Sequence, residues 1–131
     1  MASLDHSVRR LHDFEPLEVE GRLPPTLRGT MIRTGPGLLE RFGRRVAHPF
    51  DADGALTAVR FDDGRAFGAT RAVESPQYLA EERAGRFLFG TSASWPRRVL
   101  NTLTGQPQKS TGNTNVLAWQ GRLLALMEVS K

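Results

Sequence analysis

Residues 55–73 limit what this chain can fold into more than any other stretch. Residues 55–61 alternate between apolar and polar, Asp62-Asp63-Gly64 interrupts them, and residues 65–73 resume with Phe67, Ala69, Arg71 and Val73 on one side. A period of two places successive side chains on opposite faces of an extended backbone, and an Asp-Gly step supplies the left-handed φ values of a tight hairpin loop. The stretch predicts an antiparallel hairpin, so the fold must be built around a sheet.

The flanking residues read the same way. Leu17 and Val19 suggest a short strand, Leu23-Pro24-Pro25-Thr26-Leu27 turns it, Thr30-Met31-Ile32-Arg33 extends again, and Thr34-Gly35-Pro36-Gly37 closes that strand as a turn. Ser75 followed by Pro76 is an N-cap and a first helical residue, and Gly85 is a stop, which predicts a helix over residues 77–84. Phe87-Leu88-Phe89 predicts another strand, and residues 91–112 a polar connector without structure of its own. A second hairpin is expected from residues 115–119 and 122–129 around Gln120-Gly121. The sum is all-β, with four to seven short strands and one short helix, as in a β-sandwich or a piece of a β-propeller. Residues 1–16 are polar and without period, and are expected to form a flexible or draped N-terminal segment ahead of the folded part, residues 17–131. The last expected strand reaches almost to Lys131, and a half-finished sheet leaves backbone groups unpaired, so the chain is expected to be a fragment of a larger sheet.

Composition removes whole classes of function. With 131 residues there is room for one ordinary domain, and 39% hydrophobic with 24% charged residues is a globular balance. The absence of cysteine excludes disulfide frameworks, thiolate metal sites and thiol nucleophiles. The longest apolar run, residues 123–127, is far below the roughly 20 residues of a membrane span, and MASLDHSVRR is too polar for a signal peptide. The cytoplasm is therefore the expected compartment, with any membrane contact peripheral. The net charge of +4 comes with the pairs Arg9-Arg10, Arg44-Arg45 and Arg97-Arg98, but they are dispersed, as on a solvated surface, and no nucleic acid partner is expected.

Four stretches invite chemistry and fail the spacing it needs. Counted from Asp51 as a calcium loop, Asp53 fits the third position, but Ala55 and Leu56 fill the fifth and sixth, where an oxygen ligand and a glycine belong. His48 with Asp51 has no serine or cysteine partner, so the residues favour aspartates accepting backbone N–H groups in a turn. Thr34-Gly35-Pro36-Gly37 lacks the Lys-Ser/Thr end of a phosphate loop, and Gly90-Thr91-Ser92-Ala93-Ser94 falls short of a nucleophile elbow. His6 and His12 read as solvated. No catalytic and no metal-ligating residue is assigned from spacing.

In order along the chain stand Gly21-Arg22-Leu23-Pro24-Pro25-Thr26-Leu27-Arg28-Gly29-Thr30, Arg33-Thr34-Gly35-Pro36, His48-Pro49-Phe50-Asp51-Ala52-Asp53-Gly54, Asn113-Thr114-Asn115-Val116 and Gly121-Arg122-Leu123-Leu124-Ala125-Leu126-Met127-Glu128. This series resembles the N-terminal part of a carotenoid cleavage oxygenase. The resemblance implies a seven-bladed β-propeller, of which this length supplies about two to three blades at roughly 40 to 45 residues per blade. It also implies a non-haem Fe(II) held by four histidines, and O2-dependent cleavage of a conjugated double bond in a carotenoid or apocarotenoid. The resemblance places the iron ligands beyond Glu128, so no iron is expected to bind this chain alone and the isolated chain is expected to be inactive. Glu128 itself matches the carboxylate that accepts a hydrogen bond from an iron-bound histidine and fixes its tautomer. Thr34, Pro49 and Ala52 depart from the family's usual asparagine, aromatic and glycine, as does Val129-Ser130-Lys131 at the end; alanine at 52 would disfavour a positive φ. The rival reading is a small basic β module binding RNA or an anionic membrane surface, which predicts binding lost steeply with salt.

Overall fold

The computed structural model describes residues 6–106 and 108–128. Its strands are β1 (His12–Pro16), β2 (Gly29–Leu38), β3 (Glu40–Arg41), β4 (Arg44–Arg45), β5 (Asp53–Asp62), β6 (Arg65–Ala72), β7 (Asn115–Trp119) and β8 (Arg122–Leu126). A 3-10 turn (Pro49–Asp51) precedes β5, and two helices, α1 (Pro76–Ala84) and α2 (Trp95–Leu103), lie between β6 and β7. The principal sheet is antiparallel in the order β1-β6-β5-β2, with β3-β4 and β7-β8 as separate two-stranded sheets.

The predicted hairpin is the spine of the molecule. β5 and β6 pair from Ala55↔Ala72 down to Asp62↔Arg65, and the loop residues Asp63 and Gly64 both take left-handed φ, 47° and 70°. That loop matches the twist of the strands it joins. The same geometry recurs at Gln120-Gly121 in the β7–β8 hairpin and at Phe42-Gly43 between β3 and β4. A left-handed phenylalanine is costly; here the Arg41 guanidinium lies 4.6 Å from the Phe42 ring and the Phe87 ring meets it edge-on at 5.4 Å. The α1 signals act as read: Ser75 accepts the Tyr78 N–H, and Gly85 is left-handed at φ 60°.

Several expectations are corrected. The first strand is not at Leu17 to Val19 but at His12–Pro16, so the boundary drawn at residue 16 does not coincide with the start of the sheet. β1 is an edge strand, where Pro16 loses no ladder bond, and the Leu17 side chain covers Gly68, at which a Cβ would come within 2.8 Å of it. Thr34-Gly35-Pro36-Gly37 is not a closing turn: it continues β2, pairing Thr34↔Leu56 and Pro36↔Gly54, with a bulge before Leu38. Phe87-Leu88-Phe89 is not a strand, because its backbone donors at Leu88 and Phe89 are taken by the Glu81 carboxylate instead of by a ladder. The connector is not structureless: Ser94-Trp95-Pro96 starts α2, so there are two helices, not one. The last strand ends at Leu126: Met127 and Glu128, expected within it, lie beyond it, and Val129 falls outside the described residues.

The apolar core is small, with Leu39, Val46, Ala52 and Phe87 at its centre. Much of the apolar side-chain surface faces outward, including Met31, Trp95, Leu103, Leu117, Trp119 and Leu123. The accessible surface of 9460 Å² exceeds the ~6,900 Å² of a compact monomer of this mass, so the sheets present faces that nothing in the described chain covers.

Candidate functional site

The His48 stretch folds as the motif tests favoured, a turn, but its parts exchange roles. His48 Nδ1, not an aspartate, accepts the Phe50 N–H at 3.2 Å, so the imidazole proton sits on Nε2, and the turn closes with Asp51 N–H to His48 O at 2.9 Å. The expectation that aspartates take the backbone donors is thereby corrected: Asp51 accepts the Thr91 hydroxyl, and Asp53 turns inward. Ala52 is fully buried at φ −70°, so this turn asks for no positive φ and alanine replaces glycine there without strain.

Asp53 enters a buried cluster of four charges drawn from four segments: Arg41 of β3, Asp53 of β5, Glu81 of α1 and Lys109 of the connector. Lys109 Nζ lies 2.9 Å from Asp53 Oδ2 and 2.8 Å from Glu81 Oε2; Arg41 Nη1 donates to the same two oxygens, at 2.9 Å for Glu81. Arg41 is further held by Glu82 at 2.8 Å and stacked between the rings of Phe42 and Tyr78. Burial pushes the Asp53 carboxyl above its ordinary range, outweighing Lys109 and Arg41. The geometry explains why: both cations crowd Oδ2, while Oδ1 is buried with no hydrogen-bond partner. For Arg41, burial acts against the charge, but Glu82, Asp53 and Glu81 together hold its pKa above the ordinary value. Burial also raises the Tyr78 phenol, helped by the Glu82 charge.

The cluster and the turn clip the connector in place. Gly54 N–H donates to Thr111 O at 2.8 Å, the Asn113 side-chain amide donates to Phe50 O and Ala52 O, and Thr34 Oγ1 donates to Gly112 O. A Cβ at Gly54 would sit 2.5 Å from Gly112 O, so only glycine permits this approach. Residues 109–113 then lead directly into β7 and β8, and Glu128 follows two residues beyond β8. Glu128 is exposed and makes no hydrogen bond or ion pair with the other described residues. Glu128 and the His48 turn make no hydrogen bond or ion pair with each other, and the clipped connector leads from the turn's partners into the hairpin that carries Glu128.

Among the described residues, no three His, Cys, Asp or Glu side chains converge as a metal would require. His6 is exposed; His12 is part-buried in β1, with Nδ1 2.9 Å from Asp13 O and 3.5 Å from the Glu15 carboxylate. Residue spacing did not flag Arg41, Glu81 or Lys109. One signal was available: of eighteen basic residues only Lys109 and Lys131 are lysine, and a lysine in so arginine-rich a chain marks a position where a compact ammonium is used.

The family model of the retinal pigment epithelial membrane protein matches residues 6–131. The apocarotenoid-15,15'-oxygenase of Synechocystis is 42% identical over 88% of this chain and 24% of its own length. Resveratrol cleavage oxygenase 1 of Chaetomium globosum is 37% identical over 97% of this chain and 21% of its own. The chloroplastic carotenoid cleavage dioxygenase 8 of Arabidopsis thaliana is 30% identical over 88% and 23%. A solved tryptophan-to-alanine variant of the Synechocystis apocarotenoid oxygenase superposes with a TM-score of 0.77 at 40% identity, over 95% of this chain and 27% of that one. Its cobalt-substituted form gives 0.69 at 38% identity, over 93% and 26%. The chain spans about a quarter of the length of these relatives. With the motif order, the sheet topology and the match over residues 6–131 in agreement, the chain belongs to the carotenoid cleavage oxygenase family, that of the retinal pigment epithelial membrane protein.

Proposed function

We propose that this chain is the N-terminal portion of an iron(II)-dependent oxygenase that cleaves a conjugated double bond of a carotenoid or apocarotenoid with O2, contributing about two to three blades of a seven-bladed propeller. The family match over residues 6–131 carries this reading and favours it over the RNA-binding alternative. Iron of this kind would supply O2 activation. The described side chains do not form a site for it, so no step at the metal is derived from them. What the chain offers is Glu128, an exposed carboxylate two residues beyond β8 with no partner among the described residues, suited to accept a hydrogen bond from a histidine N–H. Such a bond fixes the tautomer and raises the basicity of an imidazole ligand.

The test is a graft in which residues 6–128 replace the matching quarter of the Synechocystis apocarotenoid oxygenase. The graft is expected to cleave an apocarotenal to its carbonyl products, and Glu128→Gln in it to lower the rate by about 10- to 100-fold. A folded graft indifferent to Glu128→Gln would remove the residue's assigned role. The isolated chain is expected to bind no stoichiometric iron and to leave the same substrate intact, and turnover by it would overturn the reading.

A second reading, compatible with the first, is peripheral membrane contact through α2. Its apolar residues Trp95, Val99, Leu100 and Leu103 share one side of the helix and are all exposed, Leu103 at 80%. Neutral phosphatidylcholine vesicles are expected to retain the chain, and Trp95→Ser with Leu103→Ser to abolish retention. No helix of the described chain is long and apolar enough to cross a membrane.

A further inference from the structure

Arg44 of β4, Arg86 beyond α1 and Arg97 of α2 line one cleft of about 360 Å³, together with Phe87, Ser94 and Leu100. The three come from different elements, so tertiary structure, not a run in the sequence, brings them together. None makes a salt bridge with the described residues, whereas Arg10, Arg28, Arg41, Arg45 and Arg71 each face a carboxylate. Arg97 Nε is buried and has no hydrogen-bond partner, and the Ser94 hydroxyl makes no capping bond. Three guanidinium groups around an uncompensated cleft repel one another, and burying a donor unpaired costs free energy.

We propose that this cleft binds a phosphate group. A phosphate dianion answers both costs: its oxygens match the two-pronged guanidinium donors, and its charge offsets the converging cations. The Ser94 hydroxyl stands ready as a further donor, and buried Phe87 and half-exposed Leu100 add apolar lining beside the guanidinium groups. The same chemistry is carried by free phosphate and by a phospholipid headgroup. The site goes beyond the oxygenase reading and does not depend on it. Inorganic phosphate alone tests it without reference to α2's apolar face.

In amide NMR spectra of the 131-residue chain at constant ionic strength, inorganic phosphate is expected to produce saturable shifts at Arg86, Trp95 and Arg97. Arg86→Gln combined with Arg97→Gln is expected to weaken that binding by about tenfold or more, the loss of two charge-assisted bonds. Arg33→Gln, on β2, is expected to change it by less than about twofold, as for an unrelated surface charge. Absence of saturable shifts at those amides, or equal weakening by Arg33→Gln, would overturn the site. If the double variant does not fold, Arg44→Gln and the wild-type shift map decide. Retention on vesicles containing phosphatidic acid that free phosphate displaces would support the site and make the headgroup its source. Phosphate binding without any preference for those vesicles would support it with soluble phosphate as the source.

Discussion

Lys109 shows what a single residue does in this fold. Its ammonium is buried between Asp53 and Glu81, and through it the connector is fastened to both the sheet and α1. A buried ion pair is weak evidence for net stability, but removing one partner leaves charges stranded out of water. Lys109→Met is expected to cost about 3–5 kcal/mol in chemical denaturation, or to abolish the cooperative transition. A cost below about 1 kcal/mol, the worth of an exposed pair, would mean that the cluster is open to solvent. Asp53 adds a pH dependence of definite sign. Its folded-state pKa is raised by burial, so as pH falls the folded chain takes up this proton before the unfolded chain does. The Asp53 contribution to stability is therefore fully present below the unfolded value and is lost as pH rises through the raised one. Denaturation midpoints measured between neutral pH and pH 4 should show this component in the wild type and lack it in Asp53→Asn; a component of opposite slope would count against the assignment. His48 is a smaller case. Its Nδ1 caps the 3-10 turn, so His48→Ala is expected to cost about 1 kcal/mol and His48→Asn much less.

At the level of elements, the sequence was most legible where local chemistry decides. The β5–β6 and β7–β8 hairpins and α1 all carry their own turn and cap residues, and all stand where those residues put them. It was least legible where a distant group decides. Residues 87–89 look like a strand, but Glu81 supplies the acceptors a neighbouring strand would have given. Thr34-Gly35-Pro36-Gly37 looks like a turn, but β5 pairs with it, and the edge position of β2 tolerates the proline. The His48 turn was legible as a turn but not as a socket, because its partners lie some sixty residues away at 111–113. Glu128 could be singled out only through the family resemblance, since no local pattern marks an exposed glutamate at a strand end. Gly54 makes the socket testable. Gly54→Ala would press a Cβ against the Gly112 carbonyl, and close overpacking of this kind costs about 1–3 kcal/mol. The expected result is faster hydrogen exchange at Thr114 with exchange at Val59 in β5 unchanged; a uniform rise at both would show that the socket and the main sheet open as one unit.

For the whole molecule, the distribution of apolar surface matters more than its amount. β7 and β8 form a sheet of two strands in which Leu117, Trp119, Leu123, Leu124 and Leu126 are all exposed by 41% or more. An isolated pair of strands is marginal in water, and its unpaired edges and apolar faces gain stability only when further strands or a facing layer cover them. The socket at residues 109–113 can fix where this hairpin begins, and Leu123 shares a cleft with Ile32 and Leu56 of the principal sheet, but the large apolar side chains of both strands remain substantially exposed. This bears directly on Glu128, which hangs from the end of β8 and can be held no more firmly than the hairpin that carries it. Amides of β7 and β8 in the isolated chain are therefore expected to exchange with solvent far faster than those of β5 and β6. Grafted into the apocarotenoid oxygenase framework, the same amides are expected to become protected while those of β5 and β6 change little. Equal protection of the two hairpins in the isolated chain would show that β7–β8 is self-sufficient, and that Glu128 needs no further strands to be held in position.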